Sequence, residues 1–141
     1  MRWFIALLIV LTPGLVLAEI GQIKLALGAA SIERAGKLIP AKAGQLIEAA
    51  DVIVTGKDGR MGITFTDNSR FAAGPNSRIE LTTFTFNATA HEGEFVTKVN
   101  QGTLAVISGN IAKHRKDAMR VHTPSSVLGV RGTKFLVKVT P

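Results

Sequence analysis

Few residues of this sequence have the types and spacing that catalysis needs. The chain contains no Cys, so it has no disulfide, no thiolate zinc site and no cysteine nucleophile. The histidines, His91, His114 and His122, lack the spacing of a zinc-protease motif. No Ser lies between glycines as in a nucleophile elbow, and neither Gly36-Lys37 nor Gly56-Lys57 continues into a phosphate-binding loop. The acidic residues show no pattern that singles out a catalytic pair, so the sequence predicts a protein that is not an enzyme and holds no cofactor or metal.

One short run of basic residues has the chemistry to bind an anionic partner. Lys113, His114, Arg115 and Lys116 are consecutive, and the whole chain has a formal net charge of +7. Such a run could bind a phospholipid headgroup or an acidic polysaccharide. No aromatic residue alternates with the basic ones for base stacking, so nucleic acid is not a predicted partner. The other interpretation is a solvated loop, because short charge runs usually lie on solvated surface.

The first eighteen residues have the layout of a secretory signal peptide. A basic start at Met1-Arg2 precedes the apolar run Trp3 to Leu11, which Pro13-Gly14 ends, and Val16-Leu17-Ala18 offers a cleavage site. An uncleaved anchor is the weaker interpretation because a spanning helix needs about 20 apolar residues. We therefore expect a mature domain over residues 19–141 with no membrane span. Export without Cys favours a bacterial periplasmic or secreted protein.

The remaining sequence predicts β-strands separated by turns. Met61, Ile63 and Phe65 alternate with small or polar residues, and turn signals recur about every 8–12 residues, which is typical of all-β domains. We expect one all-β domain, either sandwich-like or a short β-solenoid. The stretch 41–50 could form a helix or, equally, a turn. Another turn is predicted at Asn100-Gln101-Gly102, between two separate strands.

The alternation also predicts which side chains face the core. Within the stretch 78–86, Ile79, Leu81, Thr83 and Thr85 share one face, while Phe84 and Phe86 share the other. These two rings either cap an edge of the core, as strand aromatics usually do, or form a recognition stripe on a second, partly apolar face. Truncation of Phe135 to Ala is expected to cost about 3–5 kcal/mol. The predicted core residues are Met61, Ile63, Phe65, Ile79, Leu81, Leu104, Val106, Val121, Phe135 and Val137.

The C-terminal segment resembles the motif that closes FecR-type periplasmic domains. The motif has Thr-Pro, a small apolar stretch and Val-Arg-Gly-Thr-x-Phe, which corresponds here to the segment from Thr123 to Phe135. Earlier segments resemble further family elements in the same order: 28–36, Gly44 with 51–55, 65–69 with Asn68 where Gly is usual, and 102–104. The motif residues, which we expect to be mainly structural, are Asp51, Thr123, Pro124, Gly129, Arg131, Gly132, Thr133 and Phe135.

This resemblance implies an all-β periplasmic module that takes part in relaying a signal from an outer-membrane receptor. Here the signal peptide stands where the family's regulators have a cytoplasmic segment and a membrane helix, so we expect a free-standing module. Its predicted role is protein–protein interaction or signalling with an envelope protein, and the strand edge at 134–139 is a candidate contact. The alternative role is binding of an anionic envelope polymer or membrane surface, with Lys113, Arg115 and Lys116 as contacts. We also expect Arg131 to pair with Asp51, because a guanidinium buried in an apolar segment needs a carboxylate or several carbonyls, and Asp51 too begins an apolar run.

Overall fold

The computed structural model of the protein describes Ile9, residues 19–130 and residues 134–140. The predicted signal peptide, apart from Ile9, lies outside these residues. Strands dominate the described residues, which confirms the predicted all-β class. The elements are β1 (Glu19–Leu27), β2 (Ala30–Arg34), β3 (Lys37–Pro40), β4 (Leu46–Glu48), β5 (Val52–Thr55), β6 (Arg60–Phe65), β7 (Arg70–Ala73), β8 (Arg78–Asn87), β9 (Glu92–Ile107), α1 (Asn110–His114), β10 (Met119–His122), β11 (Val127–Gly129) and β12 (Lys134–Val139).

The strands form one sheet that curls into a half-barrel. The order along its main path is β3-β2-β5-β8-β9-β7-β6-β1-β4, and nearly all neighbours are antiparallel. Strand β10, with β11 beside it, pairs with the N-terminal part of β9, and β12 pairs with its C-terminal part. We call β4, β1, β6, β7 and β12, with the C-terminal part of β9, the β12 half. We call β3, β2, β5, β8, β10 and β11, with the N-terminal part of β9, the β10 half.

Strand β9 belongs to both halves. Its N-terminal part pairs with β8 and, in parallel, with β10, while its C-terminal part pairs with β7 and β12. The predicted turn at 100–102 is therefore wrong, because one continuous strand runs through it. Gly102 takes φ +97 there, and a Cβ on it would lie 2.1 Å from Ser77 Oγ. The glycine thus serves a bend within the strand, where the chain passes from one half to the other.

One contiguous hydrophobic core fills the curled sheet. The predicted core residues are buried, with one exception. Phe135 is only half-buried and packs against the border of the core. It lies near the start of β12, which is an edge strand. The largest fully buried side chains include Phe95, Ile23, Ile32, Ile47, Ile53, Met61, Ile79, Leu81, Leu104, Ile111 and Met119.

The faces predicted for β8 are wrong beyond Leu81. Leu81 pairs with Thr97, but Thr83 pairs with Val96, so Thr82 is an extra residue in a β-bulge. The bulge reverses the alternation and places Phe84 directly opposite Phe95. Both Phe84 and Phe86 pack against the core and are partly buried, as expected for residues that cover its edge.

The stretch 41–50 forms turns and the short strand β4, and no helix. Gly44 takes φ +91, a conformation that a helix does not contain, and its N–H donates to Ile23 O at 2.8 Å. Of the two interpretations of this stretch, the turn is correct. Ile47 then pairs with β1 and fills the core.

Candidate functional site

The buried carboxylate of Asp51 joins β2 of the β10 half to β4 of the β12 half. Only 1% of the residue is exposed, and the carboxylate accepts hydrogen bonds from Arg34 Nε at 2.9 Å and from an Arg34 terminal nitrogen at 2.8 Å. The Glu48 N–H donates a third bond at 3.0 Å. The hydrogen bond to Asp51 is the main cause that raises the pKa of Arg34 above its usual value. The proposed partner Arg131 lies outside the described residues, so that pairing stays a prediction, and Arg34 is the partner that the structure shows.

Thr123 and Pro124 form the turn that joins β10 to β11. The Thr123 hydroxyl oxygen accepts from the Ser126 N–H at 3.0 Å, and the Thr123 N–H donates to Ser126 O at 2.8 Å. Gly129 lies at the end of β11, where a Cβ would be 2.3 Å from Asp117 Oδ1. These motif residues therefore shape the backbone, and Gly132 and Thr133 lie, with Arg131, outside the described residues.

The loop between β6 and β7 caps α1, a role that the sequence analysis did not predict. Asp67 and Ser69 are fully buried. Asp67 Oδ1 accepts from the Ser69 N–H at 3.0 Å, and Asp67 Oδ2 accepts from the Ser69 hydroxyl at 2.7 Å and from the Ile111 N–H at 3.3 Å. The Ser69 hydroxyl oxygen accepts from the Gly109 N–H at 3.1 Å. An Asp-x-Ser loop that satisfies the first amides of a distant helix gives no local capping signal in the sequence.

The basic run lies at the exposed end of α1. Lys113 lies in α1, Arg115 and Lys116 follow it, and all three are exposed, as both interpretations of the run expect. His114 and Arg115 line a cleft of about 520 Å³ beside the β8–β9 hairpin. The Glu92 and Glu94 side chains line the same cleft, and His114 Nε2 lies 3.9 Å from Glu92 Oε1. Arg115 therefore shares the cleft with two carboxylates, and Lys113 and Lys116 are not among the residues that line it.

A second cleft lies between the β10–β11 turn and β12. Its volume is about 460 Å³, and it is lined by residues 123–126, Leu128 and residues 136–140. Leu128 and Leu136 are 43% and 66% exposed, so the cleft has an apolar wall open to solvent. Within the described residues, β12 pairs only with β9 and β11 only with β10, which leaves one backbone edge of each strand without a partner. The arrangement can accept an additional strand.

The described residues contain neither a cluster of metal-binding side chains nor a membrane-spanning helix. No three His, Asp or Glu side chains of these residues come close enough together to hold a metal ion. Nor does any helix among them have the length and apolar character needed to span a membrane.

These features define an all-β module in which the described motif residues hold the backbone together, while a strand edge, a cleft and basic side chains are presented to solvent. The family model described as FecR protein matches residues 51–141, and the chain therefore belongs to the FecR family. This is a signalling and regulatory family of the cell envelope whose domain faces the periplasm. The matched segment runs from Asp51 to the last residue and contains the closing motif, whereas the similar segments at 28–36 and Gly44 precede it. No curated protein and no solved structure matches the chain.

Proposed function

We propose that this protein is an exported, non-catalytic module that binds another protein of the bacterial envelope and takes part in signalling. The observation that supports this most directly is the edge of β12 beside the 460 Å³ cleft, which has no partner strand among the described residues. Exposed strand edges accept partner strands through main-chain hydrogen bonds, while neighbouring pockets give specificity. The family's role in regulation agrees with binding, since signalling modules act through their partners.

Periplasmic or secreted location is part of this proposal. The signal-peptide pattern in residues 1–18 and the absence of Cys both support export into a bacterial envelope. The family's periplasmic-facing domain is consistent with that location.

A photo-crosslinking amino acid at position 136 tests the proposal in living cells. Leu136 lines the cleft and is highly exposed, so the probe reaches a bound partner without disturbing the core. The same probe at the exposed Lys57, in the turn between β5 and β6, is the matched control. We expect a protein adduct from position 136 that persists at moderate salt and is absent from position 57. Capture of no protein at position 136 would contradict the proposed function.

The alternative is binding of an anionic envelope polymer or membrane surface. It is supported by the exposure of Lys113, Arg115 and Lys116 at one end of α1. Such binding should weaken steeply as salt rises, since screening shortens the reach of exposed charges. Retention of acidic polysaccharide or anionic vesicles at low salt only, without a protein adduct, would favour this alternative.

A further inference from the structure

The outward face of the β12 half carries two parallel rows of residues that cross its strands, and two separate cross-strand pairs lie beside them. The register of neighbouring strands aligns each row. The rows contain no acidic residue. The central row is Leu25, Gly62, Ala72, Ala105 and Leu136, and one flanking row is Thr64, Arg70, Ile107 and Lys134. On the other flank Leu27 pairs with Arg60 and Thr103 pairs with Lys138, and β7 ends at Ala73, before it reaches these two pairs.

Cations on this face have no carboxylate partner among the described residues. Arg60, Arg70, Lys134 and Lys138 are exposed and take part in no ion pair there. The β10 half differs, because each arginine on its strands is paired. Arg34 pairs with Asp51 and Glu48, Arg78 with Glu33, and Arg120 with Glu94. Among the described residues, the strand arginines without a carboxylate partner therefore lie on the side where β12 forms the edge.

The edge strand β12 also presents exposed cations on this outward face. Lys134, Leu136 and Lys138 are exposed on one face of β12, in the order basic, apolar, basic. A strand added beside β12 would place its own side chains directly opposite these three, at the short cross-strand distance where charge pairs matter. Acidic residues on the added strand would form charge pairs with Lys134 and Lys138, and an apolar residue between them would pack against Leu136.

A second copy of the chain does not fit the same edge. Antiparallel pairing of two β12 strands centred on Leu136 would place Lys134 of each copy opposite Lys138 of the other, and parallel pairing in register would place each lysine opposite itself. Like charges directly opposite each other destabilise a strand pair. The two lysines thus act against self-association while they favour an acidic partner.

We propose that the β12 edge binds an extended segment of another protein that has acidic residues opposite Lys134 and Lys138 and an apolar residue opposite Leu136. This inference rests on the proposed protein-binding function and adds the chemistry and register of the partner. The bound segment extends the β12 half by one strand and enters the cleft beside Leu128. The uncompensated Arg60 and Arg70 raise the positive field that attracts it.

Synthetic peptides test the charge pattern. The probe is an extended peptide with the central sequence acidic–Thr–Val–Thr–acidic, and its matched control has lysines in place of the two acidic residues. We expect the protein to bind the acidic probe at least about tenfold more tightly at low salt. The double variant Lys134→Glu/Lys138→Glu should reverse this preference. The variant Lys113→Glu/Lys116→Glu, with the same change in net charge, should keep it.

Two further peptides test the strand geometry. Each carries N-methyl groups on alternate amides, one on the odd positions and one on the even positions, so that one of them loses the hydrogen bonds to β12. Loss of binding by one of the two supports strand addition, whereas equal binding by both overturns it. Equal loss of binding in both charge-reversed variants would also overturn the inference and indicate diffuse attraction of anions. So would concentration-dependent dimerisation of the wild type that Leu136→Lys abolishes.

The crosslinking experiment separates failure of this inference from failure of the proposed function. A protein adduct at position 136 whose crosslinked segment lacks acidic residues would overturn the inference and leave the proposed function standing. An adduct on a segment with the acidic–apolar–acidic pattern supports both. If position 136 captures no protein at all, the proposed function fails and this inference fails with it.

Discussion

Asp67 and Ile111 are joined by a hydrogen bond across 44 residues of sequence, from the Ile111 N–H to Asp67 Oδ2 at 3.3 Å. The Asn110 N–H also donates to the Asp67 carbonyl oxygen, at 2.7 Å. The loop between β6 and β7 therefore supplies the first turn of α1 with acceptors that the local sequence does not provide, since Gly109 makes no side-chain cap. Segment 65–69, which resembles a FecR-type element, thus binds the chain by hydrogen bonds just after the end of β9.

Substitution of Gly109 by Ala should disrupt this junction. A Cβ at Gly109 would lie 2.3 Å from the Asp67 carbonyl oxygen and 2.4 Å from the Ser69 nitrogen. Both are backbone atoms, which cannot rotate away from the added carbon as the end of a flexible side chain can. We expect a loss of about 2–4 kcal/mol in the free energy of unfolding, measured by urea denaturation. Gly62→Ala is the matched control, because its Cβ would make an ordinary contact of 3.4 Å with Leu25 Cβ. A loss for Gly62→Ala as large as that for Gly109→Ala would contradict the steric argument.

Asn68 should accept Gly but not a β-branched residue. Its φ is +70, a left-handed conformation that Gly adopts freely and that Asn tolerates. We expect Asn68→Gly to change the free energy of unfolding by no more than about 0.5 kcal/mol and Asn68→Val to lower it by about 1–2 kcal/mol. Thermal unfolding of the two variants beside the wild type measures both. Equal effects of Gly and Val would show that the backbone angle does not decide the residue at this position.

The Asp51–Arg34 pair should stabilise the fold more than an exposed pair does. Asp51→Ala removes three charge-assisted hydrogen bonds from a buried site, and we expect it to cost about 2–4 kcal/mol. A double-mutant cycle with Arg34→Ala should give a coupling energy of about 1–3 kcal/mol. The control is the half-exposed pair Arg78–Glu33, for which less than about 1 kcal/mol is expected. Equal coupling in the two cycles would contradict the role given to burial.

The pH dependence of that coupling follows from the raised pKa of Arg34. A cation whose pKa is raised on folding contributes its stabilisation below its unfolded pKa and loses it as the pH rises through the folded pKa. Because both values lie in strongly alkaline solution, titration of Arg34 should leave the coupling unchanged as the pH rises from about 7 to about 10. Urea denaturation of the wild type, the two single variants and the double variant at about pH 7 and about pH 10 measures the coupling energy at each pH. A decline of the coupling over that range would show that another group titrates at the pair.

Phe95 should contribute more stability than Phe135. Phe95 is fully buried, with ring centroids 4.8 Å from Phe65, 5.1 Å from Phe71 and 4.8 Å from Phe84, whereas Phe135 is half-buried. We expect Phe95→Ala to cost about 3–5 kcal/mol. For Phe135→Ala we expect about 1–3 kcal/mol, below the value that the sequence pattern suggests, because less apolar surface returns to water. Chemical denaturation of both variants decides the order, and a larger loss at Phe135 would refute it.

The exported protein should begin at Glu19. The segment Val16-Leu17-Ala18 offers a signal-peptidase site, and β1 begins at Glu19, so cleavage after Ala18 leaves the domain intact. N-terminal sequencing of the protein recovered from the periplasm measures this. Recovery of the chain with Met1 in the membrane fraction would contradict it.

Side-chain alternation predicted the core where strands are regular. Met61, Ile63 and Phe65 of β6 face inward as their spacing requires. The pattern failed at Thr82, because a single inserted residue reverses the alternation and leaves no mark in composition. The turn predicted at Asn100-Gln101-Gly102 was wrong for another reason: Asn, Gln and Gly occur both in turns and in bent strands.

The candidate site was only partly predictable for a different reason. The basic run and the strand edge at 134–139 are local features, and both are present on the surface. The cleft beside β12, and the unpaired cations Arg60 and Arg70 on the same face, depend on which strands become neighbours. Strand order is a long-range property that period-2 patterns do not encode.

The continuity of β9 determines how the module would carry a mechanical load. A segment that pulls along β12 loads its hydrogen bonds to β9 in shear, and those bonds share the force along six aligned residue pairs. The same covalent strand, sixteen residues long, continues into the pairings with β8 and β10. The strand bends at Gly102 between these two sets of pairings, so tension at one end would reach the other through a continuous but bent backbone.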